Sequence, residues 1–221
     1  MSLVRLDLAE GSLTELCKVD NSTFLMGVAC GKLMLKTIGG ESGTGGSPDD
    51  FYTQRHTLKA VDPATGEVTP VLEWTQDEYW ELVADDSLYL LSAPEGKLHL
   101  TVRDLATGSD TDYDLPLETK EDGYAMSLSA RNGVFMFSLF TPGESSGSGI
   151  QRWAFTLETG ETQELKLCDP VRGYPFQVMG EVGDKLVVQV PRYSGDDIYS
   201  FQQYDYVVCS WQDYLNSRLP E

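Results

Sequence analysis

Asp62-Pro63-Ala64-Thr65-Gly66 is one of four forms of a single turn, the others being Asp7-Leu8-Ala9-Glu10-Gly11, Asp104-Leu105-Ala106-Thr107-Gly108 and Thr156-Leu157-Glu158-Thr159-Gly160. Each copy separates two alternating apolar runs. The glycines fall 55, 42 and 52 residues apart. An Asp at the first position accepts hydrogen bonds from backbone N–H groups two residues on. A Gly at the last supplies the positive φ that closes a hairpin with a bulge. Pro63 pre-sets φ in its copy. One such turn marks a common hairpin, whereas four at intervals of roughly 40–50 residues predict repeated four-stranded units.

Aligning the chain on this turn and labelling strands a to d predicts a half unit at 3–20, with c at 3–9 and d at 13–19. The unit at 21–75 has strands at 23–30, 32–38, 52–62 and 67–74, and the unit at 76–118 has them at 79–85, 87–92, 97–104 and 110–116. The unit at 119–169 has them at 124–131, 133–140, 150–157 and 162–168, and the unit at 170–210 has a, b and c at 174–182, 185–191 and 198–209. The b strands are nearly continuous apolar runs, such as Val134-Phe135-Met136-Phe137, which suits strands covered on both faces. The outer strands alternate: Leu98, Leu100 and Val102 oppose His99, Thr101 and Arg103, and Asp110, Asp112 and Asp114 form a row. The a–b turns at Cys30-Gly31, Asp85-Asp86, Asn132-Gly133 and Gly183-Asp184 are tight-hairpin signals. In the tail, 211–221, Ser210 predicts a capped helix over 211–217. Segments 39–50, 142–149 and 193–197 are rich in Gly, Ser and acid and read as loops, all between strands b and c.

Among the 221 residues, 35 Asp and Glu face 16 Lys and Arg, a formal charge of −19. That excess excludes a nucleic-acid partner, which needs a basic surface, and argues against an anionic membrane surface. No apolar run reaches membrane-spanning length. Cys17, Cys30, Cys168 and Cys209 lack metal-ligand spacing and are expected to be free buried thiols, with one disulfide as the alternative. The chain starts in mid-unit at Met1-Ser2-Leu3, which predicts an upstream segment carrying an export signal.

The turns resemble bacterial β-propeller repeats. Ala60-Val61-Asp62-Pro63-Ala64-Thr65-Gly66 is similar to the quinoprotein-type repeat, with its A-x-D-x-x-T-G core followed closely by Trp. Trp74 lies too far along and the other copies have none, so the Trp-docking belt is missing and no quinone or other cofactor is implied. The other resemblance is to TolB-like and WD40-like propellers of exported bacterial proteins. It implies an all-β propeller of four-stranded antiparallel blades with a short C-terminal helix, and an extracytoplasmic or cell-surface location in a bacterium. Two blade counts fit. Terminal a and b joined to the initial c and d make four closed blades and leave 198–209 over, whereas an open or incomplete arc has about five. The abrupt start favours the open arc, which predicts self-association through exposed blade faces.

In a four-stranded meander the b–c loops and d–a connections share one end. The a–b and c–d turns occupy the other, which reads as purely structural. Loops on a rigid scaffold are where binding residues gather. Residues entering the a strands line the inner rim, making Tyr79, Trp80, Tyr124, Tyr174 and Phe176, with Asp77 and Asp122 beside them, candidates for binding a peptide, a cationic group or a sugar. The competing reading is that these aromatics pack between blades. Asp49, Asp50, Asp196 and Asp197 are weak cation candidates, and the Asp110–Asp114 row reads as a solvated acidic edge because Leu115-Pro116 breaks the calcium-loop pattern. His56 and His99 sit beside no recognisable nucleophile and read as satisfied surface or inter-blade residues. These features favour a non-catalytic binding or assembly module. The alternatives are a propeller hydrolase or lyase acting on carbohydrate or peptide through loop-face carboxylates, and a structural piece of a larger propeller.

Overall fold

The computed structural model describes residues 1–39, 55–75, 79–120, 123–141, 150–166, 176–183, 185–193 and 201–219. Most of the loop segments read from the sequence lie outside these residues. Asp49, Asp50, Asp77, Asp122, Cys168, Tyr174, Asp196 and Asp197 lie outside them as well.

The described chain is antiparallel sheet throughout, apart from one 3-10 turn at Pro94–Gly96 and a short C-terminal helix. Sheet one is the pair β1 (Ser2–Asp7) and β2 (Ser12–Lys18). Sheet two runs β3 (Thr23–Ala29), β4 (Lys32–Ile38), β5 (Arg55–Val61), β6 (Val68–Thr75). Sheet three runs β7 (Trp80–Ala84), β8 (Ser87–Ser92), β9 (Lys97–Asp104), β10 (Asp110–Glu118). Sheet four runs β11 (Tyr124–Arg131), β12 (Val134–Phe140), β13 (Ile150–Thr156), β14 (Thr162–Glu164). Sheet five has three strands, β15 (Gln177–Val182), β16 (Lys185–Tyr193) and β17 (Phe201–Ser210), and α1 (Trp211–Leu215) follows it. Every sheet is a meander of consecutive strands. The initial c–d pair forms its own sheet, and β17 pairs with β16 rather than being left over. The five-sheet reading of the sequence is therefore the observed one.

The recurring turn behaves as its chemistry requires. Asp62 Oδ1 accepts from Ala64 N and Thr65 N at 2.7 and 3.0 Å, and Gly66 N donates to Asp62 O at 2.8 Å. Asp7 and Asp104 repeat the arrangement, and these amide donors hold all three carboxyls below the usual range. Thr156 keeps only the backbone closure from Gly160 N, at 2.8 Å. The a–b turns also match: Cys30-Gly31, Asp85-Asp86 and Asn132-Gly133 have positive φ at both residues, as a two-residue hairpin that follows strand twist demands.

The chain divides into two compact units, Met1–Leu117 and Glu118–Glu221. In the first, Ala29, Met34, Leu58, Trp74, Val83 and Leu88 interlock between sheets two and three. A largely buried Lys36–Glu81 ion pair links β4 to β7, and the Lys36 ammonium lies 5.9 Å from the Trp74 ring centre. In the second unit, Val134 and Met136 of sheet four and Leu165 just after β14 pack on Leu186, Val188 and Cys209 of sheet five, with Tyr214 of α1 closing the cluster. Ser210 caps that helix, its Oγ accepting from Asp213 N at 3.0 Å.

Three findings depart from the sequence reading. His56 is fully buried, edge-on to Trp74 at 5.5 Å, and neither ring nitrogen has a hydrogen-bond partner. It is therefore inter-blade but unsatisfied. Cys30 is exposed and Cys17 half-buried, so of the described cysteines only Cys209 is a buried thiol. Strands β3, β11 and β15 each carry a register shift, at Leu25/Gly27, Met126/Ser129 and Val178/Gly180. An added residue on the inner strand deepens its local bend.

Candidate functional site

A cavity of about 510 Å³ lies within the second unit, between sheets four and five. Its walls come from β11, β12 and β13 on one side and from Phe176, β15 and Trp211 on the other. Strand polarity sets its course, from Phe176 and Ile150 at the loop-rich end to Arg131 and Trp211 at the turn end. The β11 bulge, with Ser127 at φ +53°, bends the inner strand around it. The volume falls within the range of small-molecule sites.

A polar layer crosses this space, whose lining is mixed polar and apolar. Met126, Ser138 and Arg152 are direct cross-strand partners on β11, β12 and β13. Antiparallel partners share a face, so this register carries the guanidinium to the cavity wall. Arg152 Nη2 donates to Ser129 Oγ at 3.3 Å, and Nη1 makes a long contact with Ser138 Oγ at 3.5 Å. At the turn end Glu181 gathers three donors at 3.3 Å: Arg131 Nε, Asn132 Nδ2 and Trp211 Nε1. That carboxylate orients the Trp211 indole and the Arg131 side chain at the mouth. Tyr214 Oη donates to Phe176 O at 3.2 Å and ties the opposite lip to the helix. The ensemble offers aromatic and thioether surface with a cation inside, suited to holding a partly apolar ligand that carries an anionic or carbonyl oxygen.

The aromatic candidates distribute unevenly around this site. Phe176 lines it and packs on the second unit's core. Tyr124 pairs with Phe140, ring centres 5.0 Å apart, is 44% exposed, and stands outside the lining. In the first unit Tyr79 packs against the core cluster, and Trp80 begins β7 opposite Leu91. The residues that sequence reading did not single out are Arg131, Arg152, Glu181 and Trp211. The available signal was Ser138, the lone hydroxyl in an otherwise apolar strand.

A second groove, of about 460 Å³, lies in the first unit between the a–b and c–d turns, lined by Cys30, Lys32, Arg103 and Leu105 among others. The turn end therefore carries concave surface as well as structural turns. The acidic row of β10 is paired across to β9. Asp110 accepts from Arg103 Nε and Nη2, each at 2.7 Å, Asp112 accepts from Thr101 at 2.6 Å, and Asp114 lies 2.8 Å from His99. Asp114 and then Asp112 raise the His99 pKa. Among the described residues, no group of three His, Cys, Asp or Glu side chains is placed to hold a metal ion. No helix among them is long and apolar enough to cross a membrane.

No protein family and no curated protein matches the sequence. Solved structures do. An oligogalacturonate lyase in complex with manganese superposes with a TM-score of 0.55 at 16% identity, covering 88% of this chain and 55% of that one. A Vibrio parahaemolyticus oligogalacturonate lyase gives 0.56 at 15%, covering 96% and 58%. TolB from Acinetobacter baumannii gives 0.52 at 12%, covering 98% and 47%. The sheets are β-propeller blades. The chain spans about half the length of these structures. At such identity the likeness concerns the fold alone, and the fold serves both lyases and TolB.

Proposed function

We propose that this propeller chain is a non-catalytic binding and assembly module whose ligand site is the cavity between sheets four and five. The observation that carries this is the Met126–Ser138–Arg152 layer set across a cavity of about 510 Å³ between Phe176 and Trp211. Such a site holds a ligand by ring and thioether contact and fixes its orientation through one guanidinium. We also propose Asp77, Asp122, Tyr79, Trp80, Tyr124 and Tyr174, the other candidates read from the sequence, as binding residues of their own units. An extracytoplasmic location belongs to the same proposal, supported by the acidic composition and by turns resembling those of exported bacterial propellers.

Trp211 provides the probe. Its fluorescence is followed while neutral oligosaccharides, oligogalacturonate and short peptides are added. Saturable binding without turnover is the expected result. Met126→Trp, which fills the cavity, should abolish it, and Arg152→Gln should weaken it by at least tenfold for anionic ligands. Binding unaffected by both variants rejects this site. Consumption of a saccharide or peptide would replace the binding reading with the enzymatic one.

A further inference from the structure

Sheets two and three part near their turn end, and the groove of about 460 Å³ opens between them. Strand register sets its floor. Met34, Ala60 and Thr69 are cross-strand partners on β4, β5 and β6, so they share one face. Lys32, two residues before Met34 on β4, shares it as well. Further along the same strands the two sheets close on each other through Leu58, Trp74 and Leu88. Val71 of β6 and Leu105 of the turn after β9 are half-buried against that core and also line the groove. The register shift at Leu58/Lys59 adds a residue to β6, and Thr69, Pro70 and Val71 all reach the lining. Pro70 removes one backbone donor from that wall. The groove is thus apolar toward the core and polar at its mouth.

Most charges at the mouth are already matched. Arg103 is held by Asp110 through Nε and Nη2. The Asp62 and Asp104 carboxylates accept from the amides of their own turns. The Thr65 and Ala64 amides chiefly lower the Asp62 pKa, and the Lys32 charge adds to this from a distance. Lys32 itself makes no hydrogen bond and no ion pair among the described residues.

We propose that this groove binds an amphiphile carrying a single carboxylate, its apolar body along Met34, Val71 and Leu105 and its carboxylate on the Lys32 ammonium. The proposal concerns the first unit alone and is independent of the cavity in the second. Charge complementarity selects the head group. In a chain of formal charge −19, the mouth of the groove holds an ammonium whose donors are unused. Asp62 near it and Asp104 on the lining disfavour a dianion such as a phosphate monoester, so a monoanion fits. The shape selects the body: a concave site of this volume with a mostly apolar lining suits an alkyl chain or a flat ring.

Cys30 reports occupancy, because its thiol is exposed and lines the same groove. The intact chain is treated with iodoacetamide over a series of octanoate or octanol concentrations, and alkylation of the Cys30 peptide is followed by mass spectrometry. Octanoate should protect Cys30 saturably. Octanol should need about tenfold more or higher, the worth of one charge-assisted hydrogen bond. Lys32→Gln should raise the octanoate requirement to that of octanol and leave octanol unchanged. Thr69→Trp, at an exposed position of the floor, should abolish protection by both with unchanged circular dichroism. Met126→Trp, in the other unit, should leave protection intact. Absence of protection overturns the proposal, as does equal protection by the two compounds. Octanoate protection that survives Lys32→Gln or Thr69→Trp overturns it too, and so does octyl phosphate protecting at lower concentration than octanoate.

Discussion

His56 sits beneath the Trp74 edge with no partner for either nitrogen, and burial, with the nearby Lys36 charge, lowers its pKa from 6.5 to about 4. Between those values the unfolded chain binds the proton and the folded chain does not. The stabilisation is full above pH 6.5 and is lost as pH falls toward 4, on the order of 3 kcal/mol in all. His56→Phe, keeping the aromatic contact, should flatten the acid limb of a pH series of denaturant titrations. His99 has the opposite sign: its raised pKa contributes stability that is complete below 6.5 and disappears as pH rises through the folded value. At the turns, Gly66→Ala and Gly108→Ala separate two costs. Both residues have φ near +75°, but only at Gly66 would a Cβ strike the Leu16 carbonyl. Gly108→Ala should cost about 1 kcal/mol for the left-handed backbone, and Gly66→Ala clearly more, measured by thermal unfolding. These turns were legible because their cause is local. His56 was not: an alternating strand shows which face a residue takes, not whether its nitrogens find partners there. Arg152 was hidden for a similar reason, since its role depends on the register that sets Ser138 opposite it.

Strand-level organisation was the most readable layer. Continuous apolar runs became the covered b strands, with Leu88 and Leu91 fully buried, and alternating runs became strands like β9, where Leu98 and Leu100 are buried and His99 and Thr101 are half-open. The inner-strand bulges escaped because they change register by one residue without changing composition. Gly27 and Gly180 were faint markers, and β11 has no glycine to mark its own. Between elements, the Lys36–Glu81 pair joins β4 to β7 with both side chains mostly out of water. Lys36→Met should cost about 3–5 kcal/mol by stranding the Glu81 carboxylate. Adding Glu81→Leu should recover a large part of that loss, since two apolar groups need no partner. A double-mutant cycle by urea unfolding gives the coupling directly.

At the scale of the molecule, the blade fold followed from a repeat spacing, whereas the cavity between sheets four and five required coordinates. Amide exchange should grade accordingly. The covered strands β8 and β12 should be the slowest to exchange, and the two-stranded β1–β2 sheet, with its open face, the fastest. The meander pattern has one more consequence, for synthesis. Within each sheet every strand after the first pairs with the strand made just before it, so each sheet can zip up as its last strand leaves the ribosome. At roughly 5–20 residues per second, successive blades of this size are delivered within seconds of one another. An emerging chain therefore never waits for a distant partner, and few unpaired β edges stay open to other nascent chains.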